Sequence, residues 1–164
     1  MDLRKFGMEE LLLAAMKAEI ESKTLYATLA TKVKNAFLKD RLNFLASEED
    51  KHKKFLKDIF ETSYPGKKMM LPKISPVPMA SVVILEANPH VSEVLEKAMI
   101  AEKVARAFYR SLAKRYKGDR TVKASIEYLA IMEQMHYDML SLEADRLRVE
   151  EDYIIEWPMM HAGP

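Results

Sequence analysis

The chain has 164 residues, of which 49% are apolar and 31% charged, with 26 basic and 25 acidic side chains. These values are typical of one soluble domain, and a formal net charge of +1 gives no overall attraction to nucleic acid or anionic membranes. The absence of cysteine excludes disulfides, cysteine-ligated zinc or iron–sulfur sites and thiol nucleophiles. The apolar run at 11–16 is too short for a signal peptide or a spanning helix. We therefore expect a cytoplasmic protein with no nucleic-acid or membrane partner.

The first half of the sequence predicts two helices and a long connection. Apolar residues recur at steps of three and four from Met8 to about Val33, which predicts the first helix. Asn35 is predicted to cap a second helix that ends near 64–66. Prolines then interrupt the chain up to Pro89, so we predict a crossover connection over about 65–88, with a short strand or helix near 81–85.

The second half predicts another pair of helices. Asn88 is the predicted cap of the third helix and Pro89 its first residue, with the helix running to about 117. Gly118 is predicted to end that helix, and Asp119 to cap a fourth one that runs to about Val149. Residues 150–164 are predicted to be a C-terminal tail that docks on the bundle. Two helical hairpins joined by a long crossover indicate an all-α, ferritin-like four-helix bundle, one domain over residues 1–149.

The two predicted hairpins look like copies of one sequence. At an offset of 83 residues, the first helix matches the third at seven of sixteen positions. With one extra residue of offset, the second helix matches the fourth. The polar residues that the copies share form four pairs: Glu19 with Glu102, Glu49 with Glu133, His52 with His136, and Tyr26 with Tyr109.

These shared residues predict a metal site. A Glu and a His three residues apart lie on one helical face, so each E-x-x-H motif directs an oxygen and a nitrogen toward one point. Four carboxylates converging inside a bundle would repel each other and cost several kcal/mol per ion in desolvation, whereas two divalent cations balance them. We therefore predict a dinuclear site, with iron favoured and manganese as the alternative. Its ligands are Glu19, Glu49, His52, Glu102, Glu133 and His136.

The remaining polar residues near the motifs are not predicted to be metal ligands. Tyr26 and Tyr109 lie two turns after the single glutamates, so each hydroxyl can hydrogen-bond a ligand carboxylate, orient it or donate a proton. The alternative is an aromatic residue at the edge of the core. Glu48 projects about 100° away from the ligand direction and is predicted to be solvated. His90 and His161 have no glutamate three positions before them and are left out of the site.

The pattern resembles the ferritin-like di-iron domain of rubrerythrins over about residues 8–147. The motifs that carry the resemblance are Glu19…Tyr26, Glu49-x-x-His52, Glu102…Tyr109 and Glu133-x-x-His136-Tyr137. It implies a four-helix bundle with two irons that reduces hydrogen peroxide to water with electrons from a rubredoxin. Rubrerythrins usually append a rubredoxin domain with four cysteines, which this chain lacks, so the electrons are expected from a separate protein.

Two positions depart from related patterns. Many rubrerythrins carry a further glutamate three residues after the single Glu of the third helix, where this chain has Ala105. Bacterioferritins share both E-x-x-H motifs, but their haem-ligating methionine corresponds to Asp50 here, so no haem is expected. The ligand set is therefore six residues in a nearly symmetric arrangement.

Three functions follow as hypotheses. The first is a non-haem di-iron oxidoreductase that reduces hydrogen peroxide or dioxygen with electrons from an external carrier such as a rubredoxin. The second is a ferroxidase or iron-storage protein, and the third is a structural bundle with vestigial metal residues. A homodimer is expected, and the long crossover permits two chains to exchange hairpins.

Overall fold

The computed structural model describes residues 5–73 and 90–156, the stretch 149–156 as backbone only. Within these residues it contains α1 (Met8–Lys32), α2 (Ala36–Ser63), α3 (Val91–Arg115) and α4 (Arg120–Glu156). α1 packs along α2, α3 packs along α4, and the two hairpins face each other. The predicted all-α four-helix bundle is confirmed. None of the helices in the described ranges combines the length and apolar character that crossing a membrane requires.

The ends of the first hairpin follow the sequence prediction. The Leu38 N–H donates a hydrogen bond of 3.0 Å to Asn35 Oδ1, so Asn35 caps α2 as predicted. α2 ends at Ser63, and Gly66 follows with φ of +78°, a backbone conformation that glycine adopts without steric strain. Both ends of α2 are therefore set by local sequence.

The second hairpin differs from the prediction at α3. The helix begins at Val91 with His90 as its cap residue, while Asn88 and Pro89 lie outside the described residues. It ends at Arg115 rather than near 117, and Gly118 is not its cap. The structure instead gives Gly118 a packing role, because a Cβ there would lie 2.7 Å from the Tyr116 hydroxyl.

Asp119 caps α4 as predicted. Its Oδ1 accepts hydrogen bonds from the N–H groups of Thr121 at 2.7 Å and Val122 at 3.2 Å. α4 then continues to Glu156, so the prediction that the helix stops near Val149 is wrong. Neither glycine nor proline interrupts the sequence between Asp119 and 157, which removes the usual stop signals. The predicted element near 81–85 and the residues after 156 lie outside the described ranges.

Two apolar clusters fill the bundle, one toward each end. One joins the start of α1 to the end of α2 and to the α3–α4 connection, with Leu11, Leu12, Met16, Phe60, Leu112 and Leu129 among its members. The other joins the opposite ends, with Leu25, Leu29, Leu38, Leu42, Leu95 and Leu140 among its members. Each buried leucine stabilises the fold by about 2 kcal/mol. The layer between the clusters is where the shared polar residues lie.

Candidate metal centre

The structure brings all six predicted ligands into one buried layer. Glu19 comes from α1, Glu102 from α3, and the two E-x-x-H motifs from α2 and α4. They form two overlapping groups whose ligand-type atoms lie within 4.8 Å of one another. The first group is Glu19, Glu49, His52 and Glu133, and the second is Glu49, Glu102, Glu133 and His136. Glu49 and Glu133 belong to both groups, as bridging residues of a dinuclear centre would.

The two histidines lie side by side in the centre of this layer. Their rings stack with centroids 5.3 Å apart and an angle of 17° between the planes. His52 Nδ1 lies 3.1 Å from Glu133 Oε1, and His136 Nδ1 lies 3.5 Å from Glu133 Oε2. Each imidazole therefore presents Nδ1 to the carboxylates, and an oxygen of Glu133 lies within 3.5 Å of each Nδ1.

The hydrogen bonding of the cluster's polar atoms indicates whether metal ions fit there. In the described part of the chain, seven of its buried atoms have no hydrogen-bond partner: Glu19 Oε2, both oxygens of Glu133, and both ring nitrogens of His52 and His136. A buried polar atom without a partner costs about 1–3 kcal/mol. Carboxylate oxygens combined with two imidazole nitrogens suit a pair of divalent cations such as iron or manganese. The residues present therefore fit a dinuclear metal site.

Burial and the neighbouring charges shift the pKa values of the carboxylates and histidines in the cluster. Burial and the neighbouring Glu19 raise the pKa of Glu49 well above its ordinary value. Burial likewise raises the pKa of Glu102 to about 8. Burial alone would lower the pKa of His136, but the adjacent Glu102 and Glu133 raise it to about 9. Without cations, the cluster is stabilised by retaining protons.

Glu133 behaves differently from the other carboxylates. Burial opposes its ionisation, but the adjacent His136 and His52 outweigh that effect and lower its pKa to about 2. Its closeness to both rings explains this, because it is the carboxylate closest to both imidazoles. Glu133 is therefore the group most strongly held as an anion, and it is shared by both halves of the cluster.

The two tyrosines connect the hairpins through the cluster. The Tyr26 hydroxyl on α1 donates a hydrogen bond of 2.5 Å to Glu102 Oε1 on α3. The Tyr109 hydroxyl on α3 donates to Glu19 Oε1 on α1. Each tyrosine is only 1% exposed, so neither is an aromatic residue at the edge of the core. The hydrogen bonds cross between the hairpins in a reciprocal pattern that sequence spacing alone did not predict.

Some polar residues stay outside the cluster. Glu48 is 7% exposed, so the prediction that it is solvated is wrong. Its carboxylate lies 2.5 Å from Lys51 Nζ, one turn further along α2. Ala105 is buried where a further glutamate would otherwise lie. His90 is at the exposed start of α3, and His161 lies outside the described residues.

A four-helix bundle that holds such a carboxylate and histidine cluster defines the class of ferritin-like dinuclear metal proteins. The sequence model of the rubrerythrin family matches residues 10–144, and the chain belongs to this family.

Two solved structures are similar to the chain. The hypothetical protein Pfu-1136390-001 from Pyrococcus furiosus is 33% identical, with a TM-score of 0.72 and 96% of each chain covered. KatB, a manganese catalase from Anabaena PCC7120, is 21% identical, with a TM-score of 0.63 over 87% of this chain and 75% of that one, a likeness of fold alone. No curated protein matches.

Proposed function

We propose that the chain is a non-haem di-iron oxidoreductase that reduces hydrogen peroxide to water with electrons from a separate carrier protein. The observation that carries the proposal is the buried cluster of four carboxylates and two histidines, with seven polar atoms that lack partners within the described chain. Membership of the rubrerythrin family supports a redox function for such a cluster. The absence of cysteine motivates the external electron donor.

The two overlapping groups indicate which residues would hold each ion. Glu19 and His52 belong only to the first group, and Glu102 and His136 belong only to the second. Glu49 and Glu133 belong to both groups. When bound, two ferrous ions would supply the two electrons that reduce one peroxide molecule. Manganese fits the same donor atoms.

The chain itself would contribute positioning and protons. Reduction of one hydrogen peroxide to two waters consumes two electrons and two protons. The hydroxyls of Tyr26 and Tyr109 hold Glu102 and Glu19 in place by direct hydrogen bonds. Burial and the nearby carboxylates raise the pKa of both tyrosines, so these hydroxyls keep their protons near neutral pH. The apolar clusters above and below the layer exclude water from it.

Metal analysis and anaerobic kinetics test the proposal. After expression in iron-replete medium, we expect about two metal ions per chain, from the dinuclear ligand count. The anaerobic, reduced protein should be oxidised faster by hydrogen peroxide than by dioxygen. The double variant Glu19→Ala/Glu102→Ala should lose most of the metal, while Glu48→Gln, a buried glutamate outside the cluster, should retain it.

Other outcomes would contradict the proposal in distinguishable ways. Fewer than about one metal ion per chain would show that the six residues do not form a dinuclear metal site. A clear preference for dioxygen, together with a particle of many subunits in light scattering, would favour the iron-storage alternative.

A further inference from the structure

A buried serine lies on the face of α1 that carries the cluster residues. Ser22 follows Glu19 by three residues and precedes Tyr26 by four, so the three side chains project from one side of the helix. Ser22 is 4% exposed, yet its hydroxyl makes no hydrogen bond within the described residues. The hydroxyls of Thr24 and Thr28 on the same helix instead donate to carbonyl oxygens four residues earlier, at 2.8 and 2.7 Å. Because a buried hydroxyl without a partner destabilises a fold, the Ser22 hydroxyl is available to a ligand.

The internal repeat shows that this hydroxyl belongs to the first hairpin only. At the offset of 83 residues, Ser22 corresponds to Ala105 on α3, while the glutamate before it and the tyrosine after it are the same in both copies. Ala105 is also buried. Packing at this position therefore does not require a hydroxyl, and Ser22 adds one polar group to an otherwise matched pair of helix faces.

Ser22 and Ala105 lie at the middle of the interface between α1 and α3. The two tyrosine–glutamate hydrogen bonds place residues 19–26 of α1 antiparallel alongside residues 102–109 of α3. The midpoints of both segments fall within one residue of Ser22 and Ala105. Ala105 belongs to neither apolar cluster, although it is buried. The two small side chains therefore lie opposite each other in the polar layer, between the two hydrogen bonds.

The interface between α1 and α3 is slightly open at these two residues. Ser22 and Ala105 retain 4% and 6% of their surface, whereas Ala15 and Ala98, two turns earlier on the same faces, are completely buried. The cluster also has its fewest ligands on this side, because α1 and α3 contribute one each whereas α2 and α4 contribute two each. A small molecule that enters between α1 and α3 would therefore reach the side of the centre that the protein occupies least.

We propose that the Ser22 hydroxyl binds the oxidant of this centre, in the space between α1 and α3. The inference rests on the proposed function, because it takes hydrogen peroxide as the substrate. The hydroxyl donates a hydrogen bond to one peroxide oxygen, and the short side chain of Ala105 leaves room for the molecule. Ser22 is a substrate-binding residue rather than a metal ligand, since it lies outside both ligand groups.

Azide binding to the metal-loaded, oxidised full chain tests this assignment without turnover. Azide is a small anion that binds metal ions at open positions and accepts hydrogen bonds, and visible absorption follows its titration. Ser22→Ala should raise the azide dissociation constant about fivefold, the effect of losing one hydrogen bond, while the metal content stays at the wild-type level. The matched control is Ser111→Ala on α3, whose exposed hydroxyl donates to the carbonyl oxygen of Ala107 and which should leave azide binding unchanged.

The stability of the metal-free chain gives a second measurement, in which the expected change has the opposite sign. Ser22→Ala removes a buried hydroxyl that has no partner within the described chain, so it should raise the urea midpoint by more than Ser111→Ala does. A serine needed only for packing would instead lower the midpoint when replaced. Gain of stability with loss of azide affinity is therefore the result that a ligand-binding hydroxyl predicts.

The space opposite the serine has a test of its own. Ala105→Val keeps the Ser22 hydroxyl but narrows the interface, and it should weaken azide binding at least as much as Ser22→Ala does. Circular dichroism and metal content verify that each variant retains the folded centre.

Three results would overturn the inference: wild-type azide affinity in Ser22→Ala or in Ala105→Val, a lowered urea midpoint in Ser22→Ala, or a metal-loaded wild-type chain that binds no azide. Azide binding does not depend on which oxidant the protein reduces. If the Ser22 and Ala105 effects on azide are observed but the reduced protein prefers dioxygen, the inference about the binding site is supported and the proposed peroxide reduction fails.

Discussion

The glutamates of the E-x-x-H motifs, Glu49 and Glu133, make different contacts in the cluster from the single glutamates, Glu19 and Glu102. Each glutamate of an E-x-x-H motif belongs to both ligand groups, whereas each single glutamate belongs to one. The single glutamates instead accept a hydrogen bond from a tyrosine of the opposite hairpin. The four carboxylates therefore form two chemically distinct pairs, although all are buried to a similar extent.

This difference predicts unequal metal loss. Glu133→Ala should leave close to no metal, because it removes a shared donor from both groups. Glu102→Ala should leave about one ion per chain, since the group of Glu19, Glu49, His52 and Glu133 remains complete. Elemental analysis of the purified variants, normalised to chain concentration, measures both. Equal losses in the two variants would contradict the division into shared and single carboxylates.

The tyrosines make a second prediction. Tyr26→Phe removes the hydrogen bond to Glu102, and Tyr109→Phe the one to Glu19, without changing the packed ring. Each variant should lose about 10–100-fold in metal affinity or peroxide turnover. The control is Tyr137→Phe, which follows a ligand directly, although its ring instead packs under the Lys103 ammonium at 4.7 Å. Equal behaviour of all three variants would exclude a positioning role for Tyr26 and Tyr109.

Helical geometry explains why the cluster residues could be identified from sequence. A separation of three residues fixes Glu49 with His52, and Glu133 with His136, on one face, and the repeat relates the two hairpins. Which tyrosine meets which glutamate depends on how the hairpins face each other, which spacing within one helix does not encode. The burial of Glu48 was likewise decided by neighbouring helices rather than by its own angle.

At the scale of helices, local signals predicted some ends and missed others. The side-chain caps at Asn35 and Asp119 were correct because a short polar side chain satisfies the first N–H groups of a helix locally. The prediction that Gly118 ends α3 was wrong, because the glycine at this position leaves room for the Tyr116 side chain instead. α4 is longer than predicted because the sequence contains no stop signal between Asp119 and 157. The helix is also not confined to the length of the other bundle helices.

The cap of α2 can be tested directly. Asn35→Ala removes the side-chain acceptor for the Leu38 N–H and should reduce the free energy of unfolding by about 1 kcal/mol. Asn43→Ala, at an exposed position inside the same helix, provides the control and should be neutral or slightly stabilising. Urea denaturation of both variants gives the comparison. An equal loss in both would show that the hydrogen bond to Asn35 is not the cause.

At the scale of the whole molecule, the polar layer and the apolar clusters have opposite effects on stability. The clusters hold the hairpins together at both ends, while the layer between them contains four carboxylates that repel one another. Protons or cations must balance this charge for the bundle to remain stable. Four of the 25 acidic residues therefore lie inside the bundle with their charge balanced, which leaves the remaining surface more basic than the composition suggests.

This balance predicts how the stability of the metal-free protein depends on pH. The pKa of Glu102 is raised from 4.5 to about 8, and that of His136 from 6.5 to about 9. A group whose pKa is higher in the folded state retains its proton there, so its contribution is complete below the unfolded pKa and is lost as pH rises through the folded one. Each proton retained changes the unfolding free energy by about 1.4 kcal/mol per pH unit.

Chelator-treated protein should therefore become less stable from pH 6 to pH 9, as measured by the urea midpoint. Glu133 does not reverse this trend, because its lowered pKa of about 2 affects stability only under acidic conditions, below about pH 4.5. The metal-loaded protein should be more stable at every pH in this range and should lack the decline, since cations replace the protons. The variant Glu102→Gln should flatten the curve of the metal-free protein, because it removes one of the titrating groups while keeping its shape. A metal-free protein whose stability rises over this range would show that the carboxylate layer is not what limits it.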